Sequence, residues 1–249
     1  MPYVDYTTEE VKTAVVKVGN VEVMVAVEPD HAAGQNTLYA YAYDSYLEDY
    51  TQDQVTIYGY PIDFNKYELI EGVKMDGTQY CKTDVVANDT YKLTVDFMFS
   101  TTGTQYVCGS TVSGKSMYVS RGSSYLKGVL GNQSKNITPV PAVDVRIVVV
   151  VDVTGITVNG TLTAWDDTVA AFTATRHLGI GAALNTSDGP TTNNFKGVMY
   201  RMQVYDTADS SVVAEFVPVK RRSDGVVGFY DLVNGGFYSS IGTNPFEEV

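Results

Sequence analysis

Histidine, cysteine and tryptophan are close to missing from this chain, at two, two and one among 249 residues. Each shortage removes a class of chemistry. Cys81 and Cys108 have neither the spacing of a zinc knuckle nor that of a C-x-x-C redox pair. His31 and His177 stand outside any nucleophile motif of the G-x-S-x-G kind. Positive charge is also short: 17 Lys and Arg face 29 Asp and Glu, a formal net charge of −12. That balance argues against nucleic acid, whose phosphates ask for a basic surface. The longest aliphatic run, Ile147 to Val151, falls far below the roughly 20 apolar residues of a membrane span, so no membrane partner is expected. The opening MPYVDYTTEEV has no basic start and no apolar stretch, so synthesis in a cytoplasm without a secretion signal is expected. The two cysteines then read as buried thiols, although they fall in predicted neighbouring strands. The Asn-x-Ser/Thr triplets starting at Asn88, Asn132, Asn136, Asn159 and Asn185 read as loop composition.

What is there is alternation. Hydrophobic residues make up 44% of the chain, enough for a packed core. Nearly every interpretable segment has period two and is rich in Val, Thr and Tyr. "TAVVKVGNVEVMVAV" (13–27) predicts two strands turning at Gly19-Asn20, and "TLYAYAYDSY" and "DQVTIYGYPI" predict two more. Only Thr7 with Glu10 suggests a helix start. Residues 1–67 hold three lysines, no arginine and eleven acids, so −8 of the −12 lies there and a boundary is expected near residue 67. From residue 68 strands are predicted in "GVKMDGTQYCKT", "YKLTVDFMFS", "TQYVCGST", "SMYVSRG" and "YLKGVLG". In "AVDVRIVVVVDVTGITVNGTLTAW" (142–165), odd-numbered Val143 to Val153 form one face, and Asn159-Gly160 marks a tight turn. "HLGIGAAL", a polar loop "NTSDGPTTNNF" and the strand "KGVMYRMQVYD" follow. Even spacing without a long helix predicts an all-β sandwich or jelly roll.

Patterns of enzymes are incomplete. "GSTVSGKS" satisfies the spacing of a phosphate loop through Gly109, Gly114, Lys115 and Ser116, but a strand follows it where the motif needs a helix. "KRRSDGVVGFYDLVNGGFYSS" (220–240) joins a basic run to glycines. It reads as a hairpin turning at Asn234-Gly235, with the basic side chains in solvent beside Asp224.

Three stretches resemble the concanavalin A-like, laminin-G-type jelly roll over about residues 68–249. They are "VVVVDVTGITVNGTLTAW", "FKGVMYRMQVYD" and, above all, "FVPVKRRSDGVVGFYDLVNGGFYSS". The resemblance implies such a jelly roll, preceded here by a small acidic β-rich segment. Glycosidases of this kind supply catalytic carboxylates as Glu-x-Asp-x-(x)-Glu, roughly 5–9 Å apart across the scissile bond. "EPD" (28–30) and "EGVKMD" (71–76) do not provide that pattern, so no enzyme activity is expected.

The closing motif is similar to those of bacterial surface and phage particle proteins. The expected function is therefore a non-enzymatic bacteriophage virion component, such as a head fibre, capsid decoration or tail protein. It would be a homo-oligomer contacting other virion proteins. A carbohydrate-binding module is the alternative, and a polysaccharide hydrolase with an unrecognised acidic pair is the second. Calcium, which the resemblance allows, would take Asp166, Asp167, Asn185 and Asp188 as ligands. Trp165 beside those acids could stack on a sugar or belong to the core. Tyr39, Tyr41 and Tyr43 share one strand face, suited to a subunit or capsid contact, a glycan platform or an ordinary sheet surface.

Overall fold

The computed structural model describes residues 66–185 and 187–249 in full, and the backbone pairing of the strands within 12–57. The chain divides into two compact units, Met1–Pro61 and Ile62–Val249. In the first, β1 (Lys12–Val18), β2 (Val21–Asp30), β3 (Gln35–Asp44) and β4 (Asp49–Ile57) form an antiparallel meander in that order. Val18 pairs with Val21, which leaves the two-residue connection that the sequence predicts. Tyr39, Tyr41 and Tyr43 lie on β3, and their side chains fall outside the described residues, as does the Thr7–Glu10 segment.

The second unit is all β, and its described residues contain no helix. Its strands begin with β5 (Tyr67–Leu69), β6 (Val73–Asp76), β7 (Cys81–Asn88), β8 (Tyr91–Phe99), β9 (Gln105–Ser110) and β10 (Ser116–Arg121). Next come β11 (Leu126–Gly131), β12 (Gln133–Ile137), β13 (Arg146–Asp152), β14 (Gly155–Val158), β15 (Thr161–Ala164) and β16 (Thr173–Ile180). The chain closes with β17 (Ala183–Leu184), β18 (Lys196–Asp206), β19 (Ser211–Arg221), β20 (Val227–Asp231), β21 (Phe237–Ser239) and β22 (Glu247–Glu248). The larger sheet runs β15-β14-β13-β8-β18-β19-β20-β21, with β6 also on β18, β5 on β19 and β22 on β6. The smaller sheet runs β12-β11-β10-β9-β16-β7, with β17 parallel to β9. Every other pairing between these strands is antiparallel, and the two sheets face each other as a sandwich around one core.

Alternation explains the strands. On β13, Ile147, Val149 and Val151 are buried while Arg146 and Val148 are exposed. Val145 and Val153, expected on the core face, are each 46% exposed because the strand stops short of both. Asp144 leaves the strand at a φ of 58°, and Asp152 Oδ1 accepts from Thr154 N at 2.7 Å to close the far end. Asn159 and Gly160 take φ of 47° and 84°, and Val158 pairs directly with Thr161, as a tight hairpin demands. The core centres on Phe97, Phe99 and Phe195, whose ring centroids lie 5.0 to 5.9 Å apart edge-on.

Three expectations are corrected. "GVKMDGTQYCKT" is two strands in different sheets, β6 and β7, because the chain crosses the sandwich at Gly77–Tyr80. Cys81 and Cys108 are not on neighbouring strands: both pair with Ile180 of the strand between them. Two strand spacings set them about 10 Å apart, beyond disulfide reach. They are free buried thiols whose ionisation burial opposes, Cys108 being pushed up to about 12. At the last hairpin only Gly235 takes the positive φ, 77°. Asn234 instead donates through Nδ2 to Asp231 Oδ2 at 2.7 Å and Val213 O at 2.9 Å.

That hairpin clasps the sandwich shut. Asp231 is buried, and its Oδ1 accepts from Glu215 N at 3.1 Å and Val233 N at 3.0 Å. Tyr238 donates to Asp84 on β7 at 2.8 Å, so β21 ties the two sheets together. The basic run is accounted for in part by Arg221, which pairs with Asp224 at 2.7 Å and lies 4.7 Å over the Phe237 ring. Replacing Asp231 by Ala leaves buried backbone donors unsatisfied and is expected to cost about 2–3 kcal/mol. Urea unfolding measures the loss, and faster hydrogen exchange at Glu215 and Val233 locates it.

Candidate functional site

The connections at one end of the sandwich enclose a cleft of about 440 Å³. One wall is the loop after β8, with Thr101, Thr102 and Thr104; the other is the loop before β18, with Thr191, Thr192, Asn193 and Asn194. Gly77, Gln105 and Lys196 complete the lining. A second hollow, of about 550 Å³, adjoins it through Gly77 and Asn194 and is lined further by Thr78, Tyr80, Pro190, Ile241, Gly242 and Thr243.

Two buried glutamines hold these loops. Gln105 is 2% exposed; its Nε2 donates to Thr101 O at 3.0 Å and its Oε1 accepts from Lys196 N at 2.8 Å. One amide thereby ties both walls. Gln79, 1% exposed, accepts from Asp76 N at 2.8 Å and donates to Pro245 O at 3.1 Å, binding the Gly77–Tyr80 crossing to the C-terminal tail. Phe195 seats the end of the second wall in the core, and its N–H donates to Gly181 O at 2.8 Å. Asn193, at a φ of 69°, passes its carbonyl to Tyr106 N at 2.8 Å. Gly77, at a φ of 95°, leaves room for the Lys196 stem: a Cβ there would meet Lys196 Cε at 2.6 Å.

The lining is hydroxyl and amide, with one cation and no carboxylate. Thr191 Oγ1 and Asn194 Oδ1 make no hydrogen bond. Both oxygens are sealed from solvent and so lie behind the cleft lining instead of at its surface.

The residues singled out in the sequence are placed otherwise. Asp166 pairs with Lys135 on β12, at one edge of the smaller sheet. Asp188 lies over β16 and β7, its Oδ2 3.2 Å from His177 Nδ1 and 3.6 Å from Lys82 Nζ. Four strand spacings, about 19 Å along the sheet, separate β12 from β16. Asp166 with its neighbour Asp167 therefore does not converge with Asp188. Asn185 Oδ1 is occupied by Ser187 N at 3.0 Å and Ser187 Oγ at 2.8 Å. Among the described residues no group of three or more His, Cys, Asp or Glu could hold a metal. The four proposed calcium ligands are turn and anchor residues. Trp165, 9% exposed, belongs to the core, and its Nε1 donates to Asp152 O at 2.8 Å. A sugar platform needs an open ring face, which this indole lacks. The phosphate-loop look-alike is the β9–β10 hairpin, with Ser116 Oγ bonded to Val112 N and O.

No protein-family model and no curated protein matches the chain. A solved structure described as a "putative carbohydrate binding protein" from Bacteroides ovatus is similar to it. That likeness covers 95% of this chain and 80% of the other, at 13% identity and a TM-score of 0.46. Similarity this distant says nothing of chemistry, and the cleft is read from its own residues.

The sequence reading singled out Asn185 and Asp188 in the polar loop, whereas the cleft is lined by Thr191–Asn194 of the same loop. Acids drew attention as metal ligands, whereas the cleft is built from neutral groups. Gln105 and Gln79 carried no signal, since a glutamine in a strand pattern looks solvent-facing.

Two outcomes follow from this placement. Burial raises the Asp188 carboxyl, but the hydrogen bonds and charge of His177 with the charge of Lys82 outweigh it and leave the carboxyl below its ordinary range. Because the folded value is lowered, this anchor contributes fully above the ordinary carboxylate range and is lost as pH falls through the lowered value. Asp188→Asn is expected to destabilise by at most about 1 kcal/mol at neutral pH and by nothing in strong acid, as read from thermal unfolding across pH. The buried Trp165 is expected to keep an unchanged emission spectrum when any saccharide binds.

Proposed function

We infer that this chain binds a neutral oligosaccharide in the cleft between the β8–β9 and β17–β18 loops, without hydrolysing it. The observation that carries this reading is the lining itself: threonine hydroxyls and asparagine side chains beside one lysine, with no carboxylate among them. Such groups match sugar hydroxyls, which donate and accept together. The half-buried Tyr80 and the exposed Ile241 add apolar surface beside them, fit for the C–H face of a pyranose.

The rival readings find less support. An anionic ligand would meet one lysine, on a unit whose residues 68–249 carry a formal charge of −4. Hydrolysis asks for a carboxylate pair across the bond, and no carboxylate lines the cleft. The virion role rests on the likeness of the closing segment, which this unit uses to clasp its sheets. A particle protein that holds glycans would satisfy both readings.

A glycan array followed by calorimetry tests the proposal. Binding is expected to persist with a chelator present. Asn194→Ala and Thr192→Ala, each with unfolding midpoints near wild type, should weaken it about tenfold, or about 1.4 kcal/mol. An array without a single neutral-glycan hit would sink the reading.

A further inference from the structure

The outer face of the smaller sheet carries aromatic side chains that the cleft itself does not use. Tyr118 pairs with Gly109 and Ser120 pairs with Tyr106, so Tyr106, Tyr118 and Ser120 share one face. Val119 and Cys108 fill the core from the other face, which makes the tyrosine face the outer one. Tyr106 and Tyr118 are half-buried, their ring centroids 5.4 Å apart and tilted by 66°. Gly109, with a φ of 118°, has no room for a side chain: a Cβ there would come within 2.5 Å of Tyr118 Cα. Half-buried Tyr125 extends the group, its ring lying over Gly122 at the next turn. Burial, joined by the neighbouring phenols, pushes the Tyr118 hydroxyl up to about 12, so it remains a neutral hydrogen-bond donor.

This aromatic surface is continuous with the cleft. Asn194, which lines both hollows, forms a parallel bridge with Tyr106. A parallel bridge puts the two side chains on the same face about 5 Å apart. Tyr80, Asn194, Tyr106 and Tyr118 therefore follow one another from the hollows across the sheet.

The outer face of the larger sheet is built differently. Arg146 lies 3.9 Å over the Tyr200 ring and Lys92 lies 4.5 Å over Tyr205. Those rings are covered by cations. Among the described residues no cation lies over Tyr106 or Tyr118, and both side chains keep part of their surface exposed.

We propose that the ligand is an extended oligosaccharide, whose chain passes Asn194 and stacks the apolar faces of successive sugars on Tyr106 and Tyr118. This rests on the glycan reading of the cleft and adds a length requirement to it. A pyranose offers a C–H face to an aromatic ring and hydroxyls at its rim, and a tyrosine offers the matching apolar body and polar tip. A terminal monosaccharide would fill the cleft and leave the tyrosines unused.

Calorimetry with β-linked gluco-, xylo- and manno-oligosaccharides, each from the monosaccharide to the hexasaccharide, tests this. In the series that binds, affinity is expected to rise at least tenfold between the shortest member that binds and the hexasaccharide. Tyr118→Ala should remove most of that gain and leave the shortest member unaffected; Tyr118→Phe should keep it. Tyr125→Ala, in a connecting turn, is expected to lose about threefold on the hexasaccharide and serves if Tyr118→Ala does not fold. Affinity independent of chain length, or a gain unmoved by Tyr118→Ala or Tyr125→Ala, overturns the aromatic track while the cleft reading stands. Wild-type protein that binds no member of any series overturns both.

Discussion

The edge-on packing of Phe97, Phe99 and Phe195 is the contact on which the rest of this unit depends. Phe99 ends β8 immediately before one cleft wall, and Phe195 ends the other wall immediately before β18. The same three rings that seal the core therefore fix where one wall begins and the other ends. Gln105 completes the arrangement by bonding both walls with one amide. A polar cleft built on long connections would otherwise be the loosest part of the fold, because its own lining contributes little apolar burial. Here the connections are short of freedom, since each is nailed at its end by a buried aromatic ring and tied by a buried amide.

The distribution of charge follows a related logic. Across the outer face of the larger sheet, acids and bases neutralise one another, as in Arg146 with Asp96 at 2.7 Å and Arg201 with Glu215 at 2.6 Å. In the polar loop Asp188 is consumed by His177 and Lys82, which pins the loop to the sheet. Charges thus set geometry, and apart from Lys196 the cleft is lined by uncharged groups. A cleft with one lysine, in a unit whose residues 68–249 carry a formal charge of −4, has little to offer an anion. It has no such handicap toward a neutral polyol, and the array of hydroxyls and amides suits one.

Much of the architecture was legible from residues alone. The alternation of Ile147, Val149 and Val151 and the Asn159-Gly160 turn predict β13 to β15, and "KGVMYRMQVYD" coincides with β18. These readings succeed because side-chain period and positive φ are local properties. Those that failed needed knowledge of which sheet a strand joins. Alternation could not show that "GVKMDGTQYCKT" crosses between sheets, nor that β16 inserts between the two cysteine strands. Trp165 sits next to Asp166 and Asp167 in the chain, yet its ring turns into the core while Asp166 reaches Lys135.

The sequence by itself determined an all-β chain with an acidic first quarter, the hairpins at its Asn-Gly turns and a closing aromatic clasp. Each of these is encoded in neighbours along the chain. Only the tertiary structure decided where a ligand could sit. The cleft draws on residues around positions 77, 101, 105, 191 and 243, brought together by sheet order and held by glutamines that look solvent-facing in the sequence. Tyr106 meets Asn194 through one bridge between distant segments, and Tyr118 joins them through register. Side-chain period is a local property of the backbone; sheet order is set by burial across the whole sandwich, so no local reading of the sequence contains it.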